Sequence, residues 1–289
     1  MELIIDADTL VYRGAFSAER TYYRYTDIDQ RIHSFDTMTQ FKAYAKDNGI
    51  KTGEGVLKQF RGLKGEGIAR HYTKLCVQTI LDSYPDLPYK LFLSNTDKQD
   101  YRFKAAKTLP YKGKRPPKPH YYQTCRDYLI EYWNPTIVKG SEADDALGII
   151  GTELKGECIL VHIDKDIDQI PGIHYNPNKG LEYTISALDA NRNLYKQLMC
   201  GDSVDNIPGI KYWCKPRTCG PKTVDTLLAD CTNIKEMLGK ITEHYMLNRL
   251  SSEDDLNMII EEQMLLLRLC RTREELKENI KRFKNETKI

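Results

Sequence analysis

The chain has 289 residues, of which 40% are hydrophobic and 29% charged, and its net charge is only +2. These values are typical of a globular protein of one or two domains, and they exclude an affinity for nucleic acid that rests on total charge. No apolar run has membrane-spanning length, so no membrane partner is expected. The start MELIIDAD lacks the basic region of a signal peptide, so we expect a cytoplasmic protein with reduced thiols.

The predicted elements begin with a buried strand at residues 2–5, which ends at Asp6. The polar, tyrosine-rich segment 20–65 has no clear pattern, and a helix is expected at 66–84. The next predicted elements are a strand at 89–94, a helix at 119–133, a strand at 136–138, a helix from 141 and a strand at 158–163. Short strands near 173–175 and 182–185 precede a region that is helical from about 186.

Strands that alternate with helices predict an α/β fold whose central sheet is mainly parallel, with helices on both faces. The remaining helices predict a C-terminal helical domain. We therefore expect a catalytic domain at 1–188 and a helical domain at 189–289.

Acidic residues follow the strands of this predicted sheet. Ligands bind outside the carboxyl ends of parallel strands, so these acids are expected at one rim. The candidates are Asp6, Asp97, Glu142, Asp144, Asp145, Asp164 and Asp166, with Asp202 and Asp205 from a further segment. Asp168 is interpreted as an ordinary turn residue. The crowded acids need a countercharge, and carboxylate oxygens are the ligands that Mg²⁺ prefers.

The stretch KGSEADDALG (139–148) has a second, local interpretation. Ser141 and Asp144 have the spacing of a capping box, and acids are favoured in the first turn of a helix. Zinc is not expected at the rim, because no cysteine or histidine accompanies these acids, and the eight cysteines include no CxxC pair.

The stretch 101–126 contains basic residues and no acid, with tyrosines interleaved. Lysine and arginine hold phosphates, and aromatic rings stack on unpaired bases. The alternative is a solvated basic face. With the acids, this stretch favours a nucleic-acid substrate.

The motifs IDADTL (5–10), YR…YKGKR (101–115), GSEADDALG (140–148), DKDIDQIP (164–171) and GDSVDNIPGI…CGPKTVDTLL (201–228) occur in series. In this order they resemble the 5′-nuclease family, which includes flap endonucleases, and the phage 5′→3′ exonucleases in particular. The resemblance implies a Mg²⁺-dependent 5′→3′ exonuclease and flap endonuclease that uses two ions, for which Mn²⁺ can substitute, in DNA replication or recombination. A phage-encoded chain would act in the host cytoplasm.

The resemblance also implies roles for individual residues. Asp6, Glu142, Asp144 and Asp145 match ligands near a first ion, and Asp164, Asp166, Asp202 and Asp205 match ligands near a second. Lys112 matches a lysine that reaches the scissile phosphate, within an arch at 101–118 where Arg102, Tyr111 and Arg115 are the expected DNA contacts. Gly209, Gly220 and Lys222 match a helix–three-turn–helix that grips duplex phosphates and often binds K⁺.

Two features depart from the family pattern. The family's aspartate at the end of the second strand is replaced by Leu93-Ser94-Asn95, and Asp97 is the expected substitute. The turn between the two C-terminal helices is enlarged by residues 211–217, which puts the K⁺ site in doubt.

The expected partners are DNA duplex ends, nicks or 5′ flaps, RNA–DNA hybrids and replication proteins, and a monomer is expected. Two alternatives stay open. One is a non-catalytic, structure-specific DNA-binding protein, and the other is a PIN-type ribonuclease, which normally lacks the helix–three-turn–helix.

Overall fold

The computed structural model describes residues 1–51, 53–97, 100–215, 219–248 and 256–284. The strands are β1 (Glu2–Asp6), β2 (Glu19–Thr26), β3 (Ile32–Phe35), β4 (Val56–Leu63), β5 (Tyr89–Ser94), β6 (Thr136–Val138), β7 (Cys158–Val161), β8 (Gly172–Asn176) and β9 (Leu181–Ile185). The helices are α1 (Ala7–Ser17), α2 (Met38–Asp47), α3 (Glu66–Ser83), α4 (Arg102–Ala105), α5 (Tyr122–Trp133), α6 (Ala143–Glu153), α7 (Ala187–Cys200), α8 (Pro221–Leu228), α9 (Ile234–Asn248), α10 (Leu256–Leu267) and α11 (Arg273–Lys284). Short 3-10 helices cover Lys165–Gln169 and Ile210–Trp213.

The chain forms two compact units. The first comprises Met1–Thr9, Leu81–Pro117 and Asn134–Ile289, and the second comprises Leu10–Ile80 and Lys118–Trp133. These units divide the chain elsewhere than at the predicted boundary between residues 188 and 189. A catalytic domain at 1–188 and a helical domain at 189–289 therefore stay predictions.

The first unit contains a six-stranded sheet in the order β6-β5-β1-β7-β8-β9. All neighbouring strands are parallel except β8 and β9, which form an antiparallel hairpin. The apolar residues Leu3, Ile4 and Ile5 of the central strand β1 are fully buried, as expected for a strand that is covered on both faces. The predicted α/β fold with a mainly parallel sheet is confirmed.

The C-terminal helices of the first unit pack around α7. Ser186 begins this helix by accepting a hydrogen bond from the amide of Asp189 at 3.1 Å. Leu194, Leu198 and Met199 on its apolar face are buried in a cluster that also includes residues of α8, α9 and α10. Among the described helices, none has both the length and the hydropathy that a membrane span requires.

The second unit accounts for the segment 20–65, which the sequence pattern did not assign. Strands β3, β2 and β4 form an antiparallel sheet in that spatial order. Helix α2 packs on one face, where Tyr25 contacts the rings of His33, Phe41 and Tyr44. Elsewhere in this unit, α1 and α3 approach closely at Gly14, where a Cβ atom would lie 1.9 Å from Oγ1 of Thr73.

Candidate active site

Strand β1 delivers the first acid of the site. Asp6 ends the strand, is 2% exposed, and accepts a hydrogen bond from the amide of Asp8 at 2.9 Å. Asp8, in the first turn of α1, accepts in turn from the amide of Ser94 at 3.0 Å, where β5 ends. Because β1 and β5 are parallel neighbours, their ends place Asp6 and Asp8 at the same rim of the sheet.

The start of α6 differs from the predicted capping box. The helix begins at Ala143, so Glu142, and not Ser141, occupies the N-cap position. The amide of Ala143 donates to Oγ of Ser94 at 2.8 Å, which holds the start of α6 against the end of β5. The capping partner of Glu142 is Asp145, whose Oδ2 accepts from the amide of Glu142 at 3.4 Å.

Asp145 forms a buried ion pair with Arg102. The guanidinium donates to both carboxylate oxygens at 2.7 and 2.8 Å, and neither side chain is more than 1% exposed. The amide of Cys270 also donates to Asp145 at 2.9 Å. Although burial opposes it, Arg102 holds the pKa of Asp145 below its ordinary value. This geometry favours a structural role for Arg102 over the predicted DNA contact, and it ties up the oxygens of Asp145.

Asp144, the neighbour of Asp145, has the opposite electrostatic environment. Its pKa is raised well above the ordinary value by burial and by four carboxylates: Asp6, Asp164, Glu142 and Asp8. Burial, together with the charges of Asp8 and Asp164, also raises the pKa of Asp6 to about 8. These acids therefore repel one another when ionised.

Asp164 and Asp166 follow strand β7. Asp164 begins the 3-10 helix by accepting from the amide of Asp166 at 2.9 Å. Burial and the neighbouring charges of Asp164 and Asp202 raise the pKa of Asp166 to about 7, and burial also raises the pKa of Asp164. The charge of Asp164 also raises the pKa values of Asp6 and Asp144. Asp164 is therefore electrostatically coupled to the acids that follow β1 and begin α6.

Asp202 and Asp205 are held by a turn. Oδ1 of Asp202 accepts from the amides of Val204 at 2.7 Å and of Asp205 at 3.1 Å. Lys165 pairs with Asp202 at 2.7 Å and, despite burial, helps to keep its pKa below the ordinary value. The turn thus places a second pair of acids in the same unit as Asp164 and Asp166.

Residues 111–115, which we call the basic loop, lie against Glu142 and Asp205. Lys112 pairs with Glu142, Arg115 pairs with Asp205 at 2.5 Å, and Tyr111 donates to Glu142 at 3.2 Å. Burial opposes the charge of Glu142, but the Lys112 ammonium lowers its pKa. The backbone of Lys112 is in the left-handed region at φ +55°, which is uncommon for a residue with a side chain.

The turn around residue 205 fixes the position of this loop. The amide of Lys112 donates to the carbonyl of Asp205 at 2.8 Å, and Nδ2 of Asn206 donates to the carbonyl of Pro110 at 2.9 Å. These bonds hold the left-handed Lys112, so its ammonium is aimed at the acids by the backbone. Lys112 and Arg115 therefore lie beside carboxylates of the site, Glu142 and Asp205.

Two other predicted residues, Asp97 and Gly209, have separate environments. Asp97 is exposed, and its Oδ2 accepts from Nδ2 of Asn95 at 2.7 Å. Gly209 has φ +66°, and a Cβ atom there would lie 2.1 Å from the amide nitrogen of Gly201, so close packing requires glycine. Its own amide donates to Gln263 at 2.9 Å, so this amide is already satisfied within the protein.

The predicted phosphate-binding start of α8 is at the surface. Gly220 is the N-cap of the helix, Pro221 is its first residue, and the Lys222 side chain is exposed. Backbone amides at such a start can hold a phosphate. Residues 216–218 of the enlarged turn lie outside the described part of the chain.

The sequence interpretation missed Asp8. Its charge is the largest influence after burial on the pKa of Asp6, and it also acts on Asp144. Its hydrogen bond to the amide of Ser94 places its carboxylate at the end of β5, the position for which Asp97 had been predicted. The D-x-D spacing of Asp6 and Asp8 is the signal in the sequence, but the predicted strand ends at Asp6, so the strand pattern alone does not place Asp8 at the rim.

A second group with metal-ligand atoms consists of His162, His174 and Asp168. Nε2 of His162 lies 2.7 Å from Nδ1 of His174, and their outer nitrogens contact the carbonyls of Asp164 and Ile170. Imidazole donors suit zinc and other transition metals better than Mg²⁺. The carboxylates described above are therefore the better fit for Mg²⁺.

The carboxylates at the rim of the sheet, and not the histidine group, fit a hard divalent cation on two grounds. Their donors are carboxylate oxygens, which Mg²⁺ prefers, and they belong to segments that follow β1, β7 and α7 or begin α6. The raised pKa values of Asp6, Asp144, Asp164 and Asp166 show that burial and neighbouring charges disfavour the ionised acids. A bound cation would relieve this repulsion.

Comparison with known proteins adds little to this geometry. No protein-family model and no curated protein matches the chain. Among solved structures, a flap endonuclease variant of bacteriophage T5, in a pseudo-enzyme–product complex with DNA and metal ions, matches with 15% identity and a TM-score of 0.47. The match covers 74% of this chain and 89% of that chain. A likeness at this level carries no argument about function, which must rest on the site itself.

Proposed function

We propose that the chain is a divalent-metal-dependent nuclease that hydrolyses DNA phosphodiester bonds as a 5′→3′ exonuclease and flap endonuclease. The observation that carries the proposal is the group of mutually repelling acids Asp6, Asp8, Asp144, Asp164 and Asp166, with Lys112 and Arg115 nearby. Such a group suits cations, and the basic loop suits the phosphates of a polyanion. The 5′→3′ polarity rests on the resemblance of the sequence motifs alone.

The acids are proposed to hold two Mg²⁺ ions. Asp6, Asp8, Glu142 and Asp144 would hold the first, and Asp164, Asp166, Asp202 and Asp205 would hold the second, with Mn²⁺ as a substitute. Such a pair of ions supplies an activated water and stabilises the leaving oxygen.

The other residues of the chain position these ligands and the substrate. Asp145, locked by Arg102, orients the first turn of α6, which carries Glu142 and Asp144. Lys112 is proposed to bind the scissile phosphate, because its ammonium already lies beside Glu142. Tyr111 and Arg115 would hold the adjoining strand within the arch at 101–118, and Gly220 and Lys222 would bind duplex phosphate. Gly209 would shape the turn of the helix–three-turn–helix, and K⁺ is the proposed ligand of that turn.

The test is cleavage of 5′-labelled duplex and 5′-flap DNA, with Mg²⁺, with Mn²⁺ and with chelator. Wild type should release short 5′ products only with metal, and Asp164→Ala should release none. Asp86→Ala removes an exposed acid of the same unit and should cleave as wild type does. Equal cleavage by wild type and Asp164→Ala, or cleavage in chelator, would show that this site is not the catalyst.

The two alternatives are decided by the same assay when a substrate with a single-stranded RNA arm is added to it. A non-catalytic DNA-binding protein would bind the flap substrate without cleaving it in any metal. An acid missing after the second strand would favour that alternative, but Asp8 supplies a carboxylate there. A PIN-type ribonuclease would cleave a single-stranded RNA arm in preference to the DNA substrates.

A further inference from the structure

The exposed face of the small antiparallel sheet in the second unit has a composition unlike that of its other face. Residues directly opposite across the strands share a face. The register therefore groups Arg20, Tyr22, Arg24 and Thr26 of β2 with Val56, Lys58, Phe60 and Gly62 of β4, and with Ile32 and Ser34 of β3. None of these residues is buried, and none is acidic. We call this set the basic sheet face.

The opposite face is used for packing. Its residues Tyr25, His33 and Phe35 contact the rings of Phe41 and Tyr44 on α2. Aromatic side chains on that face are therefore needed to hold the helix. The aromatic residues of the basic sheet face have no such helix-packing role in the contacts described, and both Tyr22 and Phe60 stay partly exposed.

The aromatic and basic side chains of the basic sheet face form one stack. The rings of Tyr22 and Phe60 lie face to face, with centroids 5.4 Å apart and planes inclined by 18°. The Arg24 guanidinium lies 5.0 Å from the Phe60 centroid and 5.4 Å from the Tyr22 centroid. Arg20 lies 5.6 Å from the Tyr22 centroid. The stack of planar groups therefore extends across β2 and β4. Three side chains on this face, Arg20, Arg24 and Lys58, carry positive charge.

We propose that the basic sheet face binds single-stranded nucleic acid. Bases stack on aromatic rings and on guanidinium planes, and exposed cations hold the phosphates between them. The partly exposed rings suit the bases of such a strand, and the cations of this acid-free face suit its phosphates. This inference goes beyond the proposed function, because none of the proposed metal ligands belongs to this unit.

The first test measures phosphate contacts. Binding of a short fluorescent oligothymidylate is followed by anisotropy in chelator, so that no cleavage is needed, over a series of salt concentrations. Each phosphate contact with a single strand contributes about −0.7 to the slope of log affinity against log salt. The combined substitution Arg20→Gln, Arg24→Gln and Lys58→Gln should therefore flatten the slope by about 2.

The matched control removes the same charge from elsewhere in the unit. Lys42, Lys46 and Arg61 are exposed and lie on α2 or on the opposite face of the sheet. Changing these three to glutamine should leave the slope closer to that of wild type. Equal slopes for the two triple variants would overturn the proposal, because total charge would then explain the binding.

The second test measures stacking. Tyr22→Leu with Phe60→Leu keeps apolar bulk, and the pair should bind the oligonucleotide at least about fivefold more weakly, with an unchanged salt slope. Photocrosslinking of iodouracil-substituted oligonucleotide to wild type, followed by mass spectrometry, requires no variant to fold. Adducts on β2 or β4 support the proposal. Adducts confined to other segments, or wild-type affinity of the leucine pair, would overturn the proposal.

Discussion

Eight of the carboxylates at the candidate site, besides Asp8, fall into two groups that differ in what balances their charge. In the ion-paired group, Glu142, Asp145, Asp202 and Asp205 contact Lys112, Arg102, Lys165 and Arg115, respectively. In the repelling group, Asp6, Asp144, Asp164 and Asp166 have raised pKa values because of burial and, for most of them, one another's charges.

The difference separates two jobs that look the same in the sequence. Asp144 and Asp145 are adjacent acids in one helical turn, yet Asp145 is locked by a guanidinium and Asp144 faces other carboxylates. Asp145, bound at both oxygens by Arg102, fixes the first turn of α6. A repelling acid destabilises the fold when it is ionised, and a bound cation can turn that repulsion into binding free energy.

The sharpest way to break this comparison is to neutralise Asp144. Asp144→Asn should lower cleavage at least about 10³-fold, because several kcal/mol of transition-state stabilisation by metal would be lost. The same change should raise the free energy of unfolding without metal at pH 8, since it removes one member of the repelling group. Cleavage rates and urea denaturation in chelator would measure the two effects. A variant that kept its activity would return Asp144 to a purely structural role at the helix start.

Neutralising Asp145 should have a structural effect instead. Asp145→Asn leaves the Arg102 guanidinium buried without its bidentate partner, which typically costs about 3–5 kcal/mol of stability. Urea denaturation should show this loss whether or not Mg²⁺ is present.

The matched control for that loss replaces both partners of the pair. Arg102→Met with Asp145→Leu should recover part of the lost stability, because no guanidinium is then buried without its carboxylate. The recovery should be incomplete, since buried Asp100, which also pairs with Arg102 at 3.3 Å, loses that partner. Equal stability of Asp145→Asn and wild type would mean that the ion pair does not hold α6 in place.

The repelling group also predicts how stability depends on pH. The pKa of Asp6 is about 8 and that of Asp166 about 7, against an ordinary value of 3.8. Between these limits the folded protein keeps protons that the unfolded chain has lost, so stability falls as the pH rises through them. Without metal, we expect Tm to fall by at least about 5 °C from pH 5.5 to pH 8.

Added Mg²⁺ should restore more of that Tm at pH 8 than at pH 5.5, because the cation competes with protons for the same oxygens. Differential scanning fluorimetry at several pH values, with Mg²⁺ or with chelator, would show both trends. An Asp144→Asn protein should have a flatter curve in chelator. A metal-free Tm that rises between pH 5.5 and pH 8 in wild type would contradict the repulsion.

The fold could be predicted where the sequence pattern reflects burial. The strands at 89–94 and 136–138 are confirmed, and the helix at 66–84 ends one residue earlier than expected. In the segment 20–65, by contrast, Tyr25 is the only buried residue in the three strands of the small sheet. Strands with so little buried surface carry little hydrophobic periodicity, so the pattern could not reveal them.

Apart from Asp8, the sequence predicted which acids form the candidate site, but not which of them are ion-paired. The sequence motif predicts Glu142, Asp144 and Asp145 as ligands of one metal ion. It could not show that Arg102, 43 residues away, donates to both carboxylate oxygens of Asp145. Such pairings depend on tertiary contacts between distant residues, and no local spacing encodes them.

The smallest expected effect compares two candidates for one position, Asp8 and Asp97. Asp8 accepts from the amide that ends β5 and acts on the pKa of Asp6 and Asp144, whereas Asp97 is exposed. Asp8→Asn should therefore lower metal affinity or activity about 10–100-fold. Asp97→Asn should change either quantity by no more than about twofold, as is usual for surface substitutions.

Metal titrations of the cleavage rate would separate the two candidates. If Asp8 helps to hold the first ion, the Asp8→Asn protein should need more Mg²⁺ for half-maximal rate, while Asp97→Asn should follow the wild-type curve. The reverse result would restore Asp97 as the acid that replaces the one expected after the second strand. It would also imply that the hydrogen bond from Ser94 only fixes the end of β5 to the start of α1.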